Sequence, residues 1–72
     1  MSILTLEKIE SLILAVFSEN EEPLSFLELV DKVQVKSKTF SLSDIKIATL
    51  DLIETDMLSF TKNRKIQKNH NV

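Results

Sequence analysis

The chain has 72 residues, no cysteine, no glycine and a net charge of -2. This length is one small domain, which buries only about 60% of its unfolded surface, so the core is thin. Without cysteine there is no disulfide, thiolate zinc site or thiol catalysis. Without glycine there is no P-loop, dinucleotide fingerprint or EF-hand, all of which need backbone close to the ligand. The only histidine, His70, is at the C-terminal end, so no His-based dyad can form inside the domain.

The apolar stripe Leu6, Ile9, Leu12, Ile13, Val16 and Phe17 predicts a first helix. Ser18-Glu19-Asn20-Glu21-Glu22-Pro23 ends it, with Asn20 expected in the left-handed conformation and Pro23 forcing a turn. Ser25-Phe26-Leu27-Glu28 is a capping box that opens a second helix, whose inner face is Phe26, Leu29, Val30 and Val33. That helix fades into a connector, Val35-Lys36-Ser37-Lys38-Thr39-Phe40. Ser41 or Ser43 caps a third helix, with Asp44 in its first turn and Ile45, Ala48, Thr49, Leu52 and Ile53 facing inward. Asp56 ends it at a position where glycine is commoner. Leu58-Ser59-Phe60-Thr61 then reads as a strand, Lys62-Asn63-Arg64 as a turn and Lys65-Ile66-Gln67-Lys68 as the return strand. The predicted core is Leu12, Val16, Val30, Ile45, Leu52, Ile53 and Leu58. The domain is expected over 1–69, with order fading at Asn69 and a frayed tail over 70–72.

Three helices followed by a two-stranded hairpin make a mainly α (α+β) chain. The stretch from Asp44 to Leu58 carries an aliphatic residue, Ala48, Leu52-Ile53, acidic Glu54 and a short apolar lead into the hairpin. This stretch resembles the third helix and first wing strand of small bacterial winged helix-turn-helix proteins, and Phe60-Thr61-Lys62-Asn63-Arg64-Lys65-Ile66 is similar to their wing. The similarity covers nearly the whole chain in layout and residues 44–67 at the level of motif. It implies a three-helix bundle with a C-terminal two-stranded β-hairpin wing. This fold serves DNA binding and protein docking alike. Asp56 departs from the pattern, which has glycine there, and should strain the lead into the wing slightly.

Charge is divided along the chain. Residues 1–31 hold seven acids and one base, a net of -6, whereas residues 32–72 hold eight bases and four acids, a net of +4. Charge segregated in this way commonly marks an end that meets an anionic partner. In helix-turn-helix geometry the N-terminal outward residues of the third helix face base edges, which here means Ser41, Ser43, Asp44, Lys46 and Ile47, with Leu50 and Asp51 a turn further on; of these the serines and Lys46 can contact phosphates and bases. Lys62, Asn63, Arg64, Lys65 and Lys68 cluster on the hairpin, where they can track phosphates or enter the minor groove. The connector lysines Lys36 and Lys38 could add contacts. Lysines on a short hairpin also protect its edges against strand addition. The third helix carries acids and no arginine, so it is a poor base reader on its own.

Ile47 and Leu50 lie on the outward face of the same helix. They form an apolar pair that can mark a docking surface or pack against the connector or wing. The acidic turn Glu19-Asn20-Glu21-Glu22 does not supply the converging oxygens of a cation site.

The sequence therefore predicts a cytoplasmic, non-enzymatic, transcription-related module without cofactor or metal. It would bind duplex DNA through Lys36, Lys38, Ser43, Lys46, Lys62, Asn63, Arg64, Lys65 and Lys68. The alternative is a protein-interaction module that docks a partner or a second copy through Ile47 and Leu50. A homodimer fits either reading, because one small domain reads few base pairs. No membrane segment is expected. The longest apolar run is Leu12 to Phe17, and Glu7, Lys8 and Glu10 stand where a signal peptide needs an apolar core.

Overall fold

A computed structural model describes residues 2–69. The elements in chain order are α1 (Ile3–Glu19), α2 (Phe26–Lys36), α3 (Leu42–Glu54), β1 (Leu58–Phe60) and β2 (Ile66–Lys68). The expected tail at 70–72 lies outside the described residues.

Each helix starts at a serine in extended conformation. The Ser2, Ser25 and Ser41 hydroxyls accept from the backbone N–H of Thr5, Glu28 and Asp44 at 3.1, 3.2 and 3.2 Å. These bonds satisfy amides that have no partner within the first helical turn. The predicted capping box is complete, because the Glu28 carboxylate also accepts from the Ser25 N–H at 3.1 Å. Those two bonds to Ser25 come first in holding the Glu28 carboxyl below its usual range, with Lys65 and Lys32 assisting.

The end of α1 departs from expectation. Asn20 is extended (φ -123°), not left-handed. Its backbone N–H and its Nδ2 both donate to the Val16 carbonyl, at 3.0 and 2.9 Å. With the side chain capping the helix, no left-handed residue is needed there.

The core joins Ile9, Ile13, Val16 and Phe17 of α1, Leu29, Val30 and Val33 of α2, Ile45, Ala48 and Leu52 of α3, and Leu58 and Ile66 of the hairpin. Two predicted core residues are only half-buried. Leu12 turns to a shallow hollow beside Leu4, Ser37 and Phe40, and Ile53 to one beside Phe26 and Phe60. Thr49 is buried and donates its hydroxyl proton to the Ile45 carbonyl at 2.7 Å, so its polar atom costs little.

The hairpin is antiparallel, with Leu58 opposite Lys68, Ser59 opposite Gln67 and Phe60 opposite Ile66. On its other side Ile66 pairs with Leu24, which lies between α1 and α2. The two residues exchange both backbone bonds, Leu24 N–H to Ile66 O at 2.9 Å and Ile66 N–H to Leu24 O at 2.6 Å. The return strand is thus held from both sides, and both apolar side chains enter the core.

Asp56 is left-handed (φ 63°), the conformation that makes glycine the commoner choice. Asn69 secures the base of the hairpin from the other end. Its Nδ2 donates to Asp56 O at 2.7 Å, its N–H to Met57 O at 3.1 Å, and its Oδ1 accepts from the Ser59 hydroxyl at 2.7 Å. Order therefore extends through Asn69, contrary to the expected fading there.

Two stability predictions follow from this packing. Ile66→Ala should cost about 2–5 kcal/mol, since it hollows the core where the hairpin meets the helices. Asp56→Gly should gain about 0.5–1 kcal/mol by relieving a Cβ in the left-handed region, partly offset by a freer unfolded chain. Urea denaturation of each variant against the parent checks both.

Candidate functional site

The hairpin tip is built around Thr61. Its N–H donates to Lys65 O at 2.7 Å, and its carbonyl accepts from Arg64 N–H at 3.1 Å. Its hydroxyl oxygen accepts from the N–H groups of Asn63 and Lys65, at 3.3 and 3.1 Å. Arg64 closes the loop in the left-handed conformation (φ 61°). This is a three-residue loop, a turn followed by a left-handed residue, and glycine is the usual occupant of that last position. The result is a defined tip from which Lys62, Asn63, Arg64 and Lys65 all face solvent.

Beside the tip lies the outer face of α3. Ser43, Lys46, Ile47, Leu50 and Glu54 are exposed along it, with Ile47 at 51% and Leu50 at 49%. Lys46 and Leu50 line an apolar hollow with Phe26, Ile53, Phe60 and Ile66, which connects this face to the hairpin. Phe60, opposite Ile66 on the same face of the hairpin, borders this hollow and is 57% exposed. The expected outward placement of Ile47 and Leu50 is what the structure has.

Three other predicted cations lie elsewhere. Lys36 donates to the Glu19 carboxylate at 2.7 Å, tying the end of α2 to the end of α1. Lys38 lies with Asp31, Gln34 and Val35. Lys68 is half-buried and borders a hollow with Phe17, Glu21 and Glu22, where the acidic turn faces it. Lys46 shares the hollow with Phe60; Lys62, Asn63, Arg64 and Lys65 form the exposed tip that follows Phe60 in the chain; and Ser43 stands at the start of the helix that carries Lys46. Lys65 has Glu28 as an acidic neighbour.

Sequence reasoning missed Phe60, the organising role of Thr61 and the Asn69 clamp. Leu58 and Phe60 lie two apart on the same face of the strand, and the core covers only Leu58; two apolar residues at that spacing do not show where the bundle stops. It also missed a carboxyl pair between α1 and α3. Burial first, then a hydrogen bond to Asp51 and the charges of Asp51 and Glu7, push the Glu10 carboxyl up to about 7. Glu10 Oε2 is enclosed and has no donor. Two ionised carboxylates can only accept, so a proton on one of them turns the contact into a bond.

No family model, curated protein or solved structure matches the chain significantly. Among the described residues, no group of His, Asp and Glu side chains could hold a metal ion, and no helix is long and apolar enough to cross a membrane.

The Glu10 pair sets a pH dependence. Its folded value of about 7 lies above the ordinary 4.5, so the folded state holds this proton more tightly than the unfolded chain does. Its contribution is full below about pH 4.5 and is lost as pH rises through about 7. Thermal melting at about pH 5 and about pH 8 should show lower stability at the higher pH, and Glu10→Gln should flatten that difference.

Proposed function

We propose that this chain is a winged helix-turn-helix module that binds duplex DNA, as a part of transcription control, through the hairpin wing and the N-terminal half of α3. The observation that carries the reading is the hairpin tip. Lys62, Arg64 and Lys65 are held on a hydrogen-bonded loop, exposed, beside Lys46 on the outer face of α3. Cations on a preorganised loop cost little to order when phosphate arrives, and arginine suits a narrow minor groove. Ser43 and Lys46 would meet the major groove. Asn63, at the centre of the loop, adds a hydrogen-bonding side chain. Lys36, Lys38 and Lys68 drop out of the interface because they lie off the tip and off the outer face of α3, beside Glu19, Asp31 and the acidic turn.

A second reading, docking of a protein partner, is favoured by one specific observation. Ile47 and Leu50 stand half-exposed in the middle of the face that would enter the groove, with Phe60 beside them. Asp44, Asp51 and Glu54 on the same helix also oppose phosphate.

Fluorescence anisotropy with a mixed-sequence duplex tests the lead reading. Three phosphate contacts, from Lys62, Arg64 and Lys65, should give a slope of log affinity against log salt of about -3. Lys62→Ala with Lys65→Ala should flatten that slope by about two and weaken all sequences alike, whereas Lys46→Ala should change preference among sequences. Absence of binding at low salt by the folded chain removes the DNA reading and leaves docking.

A further inference from the structure

The outer face of α3 has a repeat of which the proposed DNA contact uses only Ser43. Ser43, Ile47, Leu50 and Glu54 are spaced four, three and four apart and are all exposed. That is the spacing of the seam positions of a two-stranded coiled coil, with Ile47 at a and Leu50 at d. The positions that such a coil turns away from its partner are Ile45, Ala48, Thr49 and Leu52, and these four are the buried residues of α3. One helix thus has two faces, the inner one filled by this domain and the outer one a short apolar seam. Lys46 falls at the g position on one flank of the seam, Asp44 and Asp51 at e on the other.

We propose that this seam binds a second copy of this chain, α3 against α3, in a parallel two-fold arrangement. Charge selects both the occupant and the direction. In a parallel pair the g side of one helix meets the e side of the other, which sets Lys46 against Asp51 of the second copy, twice by symmetry. Ile47 meets Ile47 and Leu50 meets Leu50 across the axis. In an antiparallel pair each flank meets its own kind, so Asp44 and Asp51 face the same acids of the other copy.

The flanking elements point the same way. The hairpin lies on the Lys46 side, where Lys46, Leu50 and Phe60 share a hollow, and α1 lies on the Asp51 side, where Glu10 meets Asp51. A parallel pair therefore brings the basic hairpin of one copy toward the Glu7 and Glu10 side of the other. An antiparallel pair would bring hairpin to hairpin and acid to acid. Lys46 of the second copy would also supply a cation to the cluster of Glu7, Glu10 and Asp51, to which no cation among the described residues is bonded. The opposing cost is Glu54 facing Glu54 at the end of the seam. With only two apolar layers the pair is a weak, concentration-dependent dimer. The inference gives the docking reading a named occupant and does not depend on DNA binding. Since both uses cover α3, dimer and duplex complex exclude one another.

Sedimentation equilibrium of the full chain, without nucleic acid and over about a hundredfold range of concentration, tests it, with circular dichroism confirming that each variant is folded. Wild type is expected to pass from monomer to dimer. Ile47→Ser with Leu50→Ser should stay monomeric. Lys46→Asp and Asp51→Lys should each weaken association by at least about tenfold, whereas their equimolar mixture, and the double variant carrying both changes, should associate as wild type does. Asp51→Lys keeps an intramolecular partner in Glu10, so its fold is protected. A wild type that stays monomeric throughout overturns the proposal. So does a mixture of the two folded single variants that associates no better than either alone.

Discussion

The pair of backbone hydrogen bonds between Leu24 and Ile66 is what makes the rest of the molecule one object. A two-stranded hairpin with three residues per strand is not stable on its own in water. Here its return strand is pinned to the turn between α1 and α2 and its two inward side chains complete the helical core. The position of every cation at the hairpin tip, relative to α3, follows from that attachment. The hollow under Phe60 has the same origin, since it is the seam between a hairpin held at one edge and a helix held at its opposite face.

The domain achieves this with no glycine. Serine opens all three helices, and side-chain amides do what flexible backbone does elsewhere: Asn20 closes α1 and Asn69 ties the base of the hairpin. Where a left-handed residue is unavoidable the chain uses Asp56 and Arg64. Polar side chains near the backbone therefore fix the ends of the elements, while the thin apolar centre fixes how they pack. The acids at the junction of α1 and α3 add one further condition, because burial beside Asp51 raises the Glu10 carboxyl and makes that junction sensitive to pH.

Much of the architecture was legible in the sequence because its signals are local. The Ser25–Glu28 capping box and the inner stripes of α1 and α3 are where periodicity and capping chemistry put them, and the Lys62-Asn63-Arg64 turn falls at the predicted residues. What was not legible depends on contacts between distant segments. Leu24 sits alone between Pro23 and a helix cap, and nothing nearby shows that it pairs with Ile66. Leu12 and Ile53 belong to the right stripes, but lie at their edges, where a 72-residue chain has no further layer to cover them. For the candidate site, the sequence supplied the cations and the exposed Ile47–Leu50 pair. It could not sort the cations into those on the exposed tip and the outer face of α3 and those turned to Glu19, Asp31 or the acidic turn, because that sorting is made by the way α2 and the hairpin cross the bundle.

Arg64 shows a conflict that bears on how such a tip can change. Its backbone conformation favours residues with little or no side chain, while a role in the proposed contact with phosphate would favour a long cation. Most substitutions satisfy one demand and violate the other: asparagine suits the backbone and discards the charge, and lysine keeps the charge without relieving the backbone. A residue caught between two such filters has few tolerated neighbours in sequence space, so position 64 should drift more slowly than Lys62, which carries the same charge on an unconstrained backbone.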